Sequence, residues 1–302
     1  MSTLAYRLAV GTGAATFVLI LAGGLVTNTG SALAVPDWPT TFGYNMFLYP
    51  WSKMAGGILY EHGHRLLGAL VGALTVGLAL VLWRTERRRW VRALGAAAVL
   101  LVVVQGVVGG LRVVLRAETI AIVHGCLAPA FFALTVVLAM VTSPGWASSA
   151  PPARGRRLTV LASTAALLLY VQIVLGALVT HAGRVDLHLM GAAVVFMFVP
   201  MVTARARTTG DPAIARPARA LLVLLLVQLV LGVGAFLVRF AGFAPPGGQV
   251  VGLALPIAHR LVAALVLGAA VALVAVLVRA PGAADPARRE AGLRTVTLGS
   301  AP

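Results

Sequence analysis

The chain is nearly devoid of cysteine and poor in negative charge. Cys126 is the one cysteine in 302 residues, which excludes an intramolecular disulfide and any cluster of thiolate metal ligands. Set in an apolar run, it reads as a small packing residue. Charged residues make up only 11% of the chain, with 8 Asp and Glu against 24 Lys and Arg. The remainder is apolar: 60% of residues are hydrophobic and the mean hydropathy is +0.97. A soluble domain of this length does not carry so much apolar surface, so the expected class is an all-α polytopic membrane protein. The net charge of +16 invites a nucleic-acid reading, but the basic residues are confined to alternate connections. One group is Arg84, Arg87, Arg88, Arg89 and Arg92, a second Arg154, Arg156 and Arg157, and a third Arg205, Arg207, Arg216 and Arg219. That alternation is the positive-inside pattern. It predicts a multi-pass protein of the cytoplasmic membrane with both termini cytoplasmic, lipid as its surroundings, and no nucleic-acid partner.

Eight runs are long enough to span, at about 20 residues each: 5–27, 58–83, 93–115, 119–142, 157–180, 186–206, 217–239 and 255–279. The outer connections are then 28–57, 116–118, 181–185 and 240–254. The first and last are long and rich in Gly, Pro and aromatic residues, as folded loops over an outer surface would be. Ala32-Leu33-Ala34 resembles a signal-peptidase site, but the apolar run before it is too long for a signal core. The stretch Leu25-Val26-Thr27-Asn28-Thr29-Gly30 also recurs as Leu178-Val179-Thr180-His181-Ala182-Gly183, where no signal could lie. The first segment is therefore expected to be a retained helix.

That echo opens a repeat. Gln105 and Gly109 in segment three match Gln228 and Gly232 in segment seven, and Gln172 and Gly176 in segment five repeat the spacing. His64-Arg65 and His124 in segments two and four answer to His188 and His259-Arg260 in segments six and eight. The expected architecture is eight transmembrane helices as two pseudo-symmetric four-helix bundles, related as a parallel repeat. Residues 1–142 would form the N-terminal bundle and 157–279 the C-terminal one, with 280–302 a disordered cytoplasmic tail.

Ionisable groups at membrane depth are costly and usually functional. His64, His124, His188 and His259 each lie just inside the outer end of an even-numbered segment, so they share a depth. Two imidazoles opposed across a four-helix bundle are the axial ligand set of a haem iron. A zinc site would want four convergent ligands. Arg65 and Arg260 directly follow histidines and suit haem propionates, or else simply snorkel to the interface. Glu61 shares a face with His64, and either pairs with Arg65 or acts near a haem rim as a proton acceptor or charge stabiliser. The matching positions Val185 and Pro256 carry no acid, so one half is expected to do chemistry and the other to hold a fixed group. Gln105, Gln172 and Gln228 read as interhelical hydrogen-bonding residues, and His181 as solvent-facing or a supporting donor.

In order along the chain, several stretches resemble the haem A synthase family. They are Gly30-Ser31-Ala32-Leu33-Ala34-Val35-Pro36-Asp37-Trp38-Pro39, Glu61-His62-Gly63-His64-Arg65, Gln105-Gly106-Val107-Val108-Gly109-Gly110, His124-Gly125-Cys126-Leu127-Ala128 and Gln172-Ile173-Val174-Leu175-Gly176-Ala177-Leu178-Val179, followed by His188 and His259-Arg260. The resemblance implies that His188, His259 and Arg260 hold a resident haem b. It places His64, His124 and Arg65 around haem O as substrate, with Glu61 as the catalytic acid residue. All four histidines would then meet haem iron. The implied activity is oxidation of a haem O methyl group to the formyl group of haem A. The implied partners are a haem O farnesyltransferase, cytochrome oxidase assembly and an electron donor of unspecified kind; a homo-oligomer is left open. Some members carry a cysteine pair in the first outer loop, and this chain has none there, so a thiol step through that loop is ruled out. The alternative reading is a di-haem b cytochrome that only transfers electrons. A transporter or haem chaperone is a further rival, without the broken midplane helices expected of one.

Overall fold

The structure, a computed structural model, describes residues 2–148 and 155–279. The tail expected to be disordered lies outside the described residues. Among these residues there are eight helices long and apolar enough to cross a membrane: α1 (Thr3–Asn28), α2 (Gly57–Thr85), α3 (Arg89–Leu115), α4 (Glu118–Thr142), α6 (Arg156–Ala182), α7 (Val185–Arg207), α8 (Pro212–Phe240) and α9 (Gly248–Val278). A short helix, α5 (Pro144–Ser148), follows α4. The protein is thus an all-α, multi-pass membrane protein, as the apolar runs require. Helices satisfy every backbone polar group internally, which a lipid core demands.

The boundaries that differ most from the sequence expectation are the starts of the last two spans. The eighth span begins at Gly248, not 255, so the last loop is a short turn rather than a long cover. Gly247 and Gly248 take φ of +91° and +60°, which turns the chain before Gln249 and lets the helix start there. It then runs through Pro256, whose missing N–H breaks only one bond of the ladder. The seventh span begins at Pro212, where the Asp211 side chain accepts from the Ala213 N–H at 2.8 Å. Arg216 and Arg219 therefore sit on the first turns of α8, not in a loop.

Around the first four spans α1 packs on α2, α2 on α3, α3 on α4, and α4 back on α1. The last four repeat that order of neighbours: α6 on α7, α7 on α8, α8 on α9, and α9 on α6. Contacts of α4 with α6 and α9, and of α1 with α9, join the two rings. The Glu118 carboxylate and His181 Nδ1, 2.6 Å apart, also bridge them.

Both apolar cores lie toward the basic ends of the helices. One contains Ala5, Ala9, Leu78, Leu82, Val91 and Leu138. The other contains Ala165, Val199, Val202, Leu221, Leu225 and Leu273. At the opposite end, which carries loop 29–56, the interior is built from histidine, glutamine and glycine.

Candidate functional site

Each of the four expected histidines is seated against a glycine of the helix before it. A Cβ built on Gly23 would stand 3.1 Å from His64 Cε1, and one on Gly109 only 2.9 Å from His124 Cε1. The corresponding distances are 3.3 Å from Gly176 to His188 and 2.8 Å from Gly232 to His259. Glycine is required at the tightest of these because any side chain would push the ring from its place. Sequence reasoning singled out three of the four glycines. Gly23 was legible too: the echo of Leu25–Gly30 in Leu178–Gly183, carried back two residues, pairs Gly23 with Gly176.

The structure brings the histidines together as two pairs. The ring centroids of His64 and His124 are 6.3 Å apart with planes at 79°, and those of His188 and His259 are 6.2 Å apart with planes at 79°. Two metal–imidazole bonds of about 2 Å, plus about 1.1 Å from each nitrogen to its ring centre, give a centroid separation of roughly 6 to 6.5 Å. The separation within each pair is thus that of two imidazoles sharing one metal. Among the described residues no group of three or more His, Cys, Asp or Glu gathers as a metal site. A metal held by only two histidines would take its remaining ligands from a chelating group, and a haem held by two histidines would meet that need.

The glutamines hold the histidine helices. Gln105 Nε2 donates to the His124 carbonyl at 2.9 Å, and Gln172 Nε2 donates to the His188 carbonyl at 2.9 Å. Gln228 Nε2 lies 3.3 Å from His259 Nε2. The interhelical role read from the sequence is the one they have, with the histidines themselves as partners. Among the described residues, the buried side-chain polar atoms without a hydrogen bond are His64 Nδ1, His124 Nδ1, Gln105 Oε1, Gln172 Oε1 and Gln228 Oε1. All five lie in the two histidine layers. Leaving such an atom unpaired costs about 1–3 kcal/mol, so polar groups stranded together mark a layer built for a further occupant.

Glu61, His62 and Arg65 face the first loop. Glu61, 4% exposed, accepts from Arg65 Nη2 at 2.9 Å and from the Val35 N–H at 3.0 Å. Arg65 also donates through Nη1 to the carbonyls of Asp37 and Thr40, at 2.7 and 3.1 Å, and through Nη2 to that of Val35 at 2.9 Å. His62 Nδ1 meets Thr41 Oγ1 at 3.0 Å. The loop is organised around Asp37, whose carboxylate accepts from the N–H groups of Phe42 and Gly43 and from the Thr40 hydroxyl. Partial burial opposes its ionisation, but these hydrogen bonds prevail and hold its pKa below the ordinary value. Trp38 then lies flat on Gly110 of α3, where a Cβ would come within 2.2 Å of the indole.

The two arginines that follow histidines differ. Arg65 is taken up by the loop and Glu61, whereas among the described residues Arg260 Nη2 donates only to Thr180 Oγ1, at 2.9 Å. A residue the sequence reading passed over is Arg112. It stands three residues beyond Gly109 on α3, is half-buried, and its guanidinium bonds to nothing among the described residues.

Eight apolar spans enclosing two half-buried pairs of facing imidazoles define an integral membrane protein with two histidine-pair sites. The sequence profile described as cytochrome oxidase assembly protein, COX15-CtaA, matches residues 6–187, more than half of the chain. The chain belongs to that family. Among curated proteins it is similar to the "Heme A synthase" of Alkalihalophilus pseudofirmus, 32% identical over 127 residues, 41% of each chain. It is also similar to that of Shouchella clausii, 31% identical over 135 residues, 44% of each chain. The matches thus span about two-fifths of the length of these relatives.

Proposed function

We propose that the protein is a haem A synthase of the cytoplasmic membrane, oxidising the methyl group of haem O through a hydroxymethyl to the formyl group of haem A. The observation that carries this reading is the pair of bis-imidazole sites, 6.3 and 6.2 Å between centroids, of which the first has a buried carboxylate, Glu61, one helical turn before its histidine. The names of its relatives support the same activity. In this reading residues 1–142 are the substrate half and 157–279 the resident-cofactor half. His188 and His259 would hold haem b, with Arg260 toward its carboxylates. The chemistry that a haem b supplies is one-electron redox. His64 and His124 would hold haem O on either side.

The chain's own contribution is placement and electrostatics. The glycine seats fix ring positions, and the glutamines tie each histidine helix to its neighbour. The apolar spans exclude water, which strengthens every charge interaction inside. Each Glu61 oxygen accepts one bond and keeps a free lone pair, so the carboxylate can stabilise positive charge at the porphyrin edge or accept a proton there. The absence of an acid at Val185 and Pro256 favours turnover in the N-terminal half over a cytochrome with two equivalent haems.

Basic residues at the ends of the helices away from the histidines support an orientation with those ends and both termini in the cytoplasm. The histidine layers then lie near the outer surface. A membrane farnesyltransferase would supply the substrate, and cytochrome oxidase assembly would consume the product. The test is to extract haems from cells that make haem O, with and without this protein, and separate them chromatographically. Haem A appearing only with the protein is expected. Haem O persisting unchanged, with two haem b retained per chain, would favour the electron-transfer cytochrome instead.

A further inference from the structure

The positive-inside rule leaves few arginines at the outer end of a membrane protein, so each one there asks for a partner. The six acids among the described residues are all engaged: Asp37 in its loop, Glu61 with Arg65, Glu86 with Arg88, Glu118 with His181, Asp186 with Arg184, and Asp211 at the start of α8. None faces Arg112 or Arg260. In the C-terminal half the side chain of Arg260, next to His259, bonds only to a hydroxyl among the described residues. Its counterpart Arg65, next to His64, has both Nη groups committed to three loop carbonyls and Glu61. The N-terminal half has an additional cation at this level. Arg112 lies on the same face of α3 as Gly109, the seat of His124. Its charge falls on both His64 and His124. The matching position in α8, three beyond Gly232, is the uncharged Ala235, and the arginine of that helix end, Arg239, comes a turn later and is exposed.

We propose that Arg112 binds a propionate carboxylate of the porphyrin in the His64–His124 site, the role that Arg260 has in the other half, while Arg65 anchors the loop. This rests on the reading that the His64–His124 site takes a haem. A half-buried guanidinium with no internal acceptor presents its paired N–H groups to a carboxylate, and such charge-assisted bonds are the strong ones. The porphyrin is thereby recognised at two points, iron and acid group, so its rotation in the site is fixed relative to Glu61.

The test is optical titration of haem O, and separately of its dimethyl ester, into detergent-purified protein. Wild type, Arg112→Gln, Arg112→Lys and Arg65→Gln are compared, with His64→Ala as the control for the site. Arg112→Gln is expected to weaken haem O binding about tenfold or more, while leaving ester binding at the wild-type level. Arg112→Lys should recover part of the loss. An equal loss for acid and ester in Arg112→Gln, or a loss of acid preference in Arg65→Gln alone, overturns the assignment. Should His64→Ala leave haem O binding intact, the porphyrin reading of that site fails instead. Retention of the C-terminal haem spectrum in each variant separates these outcomes from misfolding.

Discussion

Placing an alanine at each of the four glycine seats gives a graded experiment with internal controls. Ordinary contact with a Cβ begins at 3.4 Å, so the imidazole must retreat by the difference. From the distances of 2.8, 2.9, 3.1 and 3.3 Å this is 0.6 Å for Gly232→Ala, 0.5 Å for Gly109→Ala, 0.3 Å for Gly23→Ala and 0.1 Å for Gly176→Ala. Ligand constellations tolerate displacements of about 0.5 Å, so the first two are at or past the limit and the last is well within it. Overpacking of this kind costs about 1–3 kcal/mol, which corresponds to roughly 5- to 150-fold in haem affinity. Meanwhile alanine gains up to about 1 kcal/mol of helix propensity over glycine, so the fold itself should not weaken. Gly232 and Gly176 serve the same pair, which makes them the cleanest comparison. The assay is haem retained per protein after detergent purification, read optically, beside thermal unfolding of each variant. Gly232→Ala should lose most of the C-terminal haem and Gly176→Ala should keep it. If Gly176→Ala loses as much as Gly232→Ala, or if haem loss merely follows loss of stability, the seating argument is wrong.

Three further outcomes concern the first loop, which holds Lys53, the single lysine of the chain, so a lysine-specific protease reports on its opening. Gly110→Ala should displace Trp38 and raise cleavage at Lys53 about tenfold, since cleavage follows the open population; in a Trp38→Ala background the same change should have little effect. The hydrogen bonds that depress Asp37 contribute loop stability at pH values above its unfolded pKa. That stability is lost as pH falls through the lower folded value, so cleavage by an acid-tolerant protease should rise below about pH 4. Asp37→Asn should give the open loop at neutral pH and remove this pH dependence; an unchanged acid profile in that variant would contradict it.

The spans were legible because the lipid core demands runs of one character, and the histidine register was legible because the four recur at one depth. The start of α9 was not. A proline usually marks a helix start in sequence, whereas here Pro256 sits inside the helix and the Gly247-Gly248 turn sets the boundary. The role of Arg65 was hidden for a different reason. Its partners are backbone carbonyls of a loop more than twenty residues earlier, and no side-chain pattern announces a carbonyl cage. The Glu61–Arg65 ion pair, by contrast, follows from their spacing of one helical turn. Gly110 and Trp38 met for the same non-local reason. Arg112 reads in sequence as an ordinary basic residue near a helix end, and only its guanidinium's lack of an acceptor among the described residues sets it apart.

The central claim is that two imidazole pairs each clasp an iron porphyrin, with the C-terminal pair holding the resident one. Electron paramagnetic resonance of the oxidised, purified protein tests it directly, because nearly perpendicular axial imidazoles give a low-spin haem signal of large anisotropy. That signal should vanish in His188→Ala and His259→Ala and persist in His64→Ala and His124→Ala. Persistence in the first two variants, or a resident haem lost only from the second two, would contradict the account.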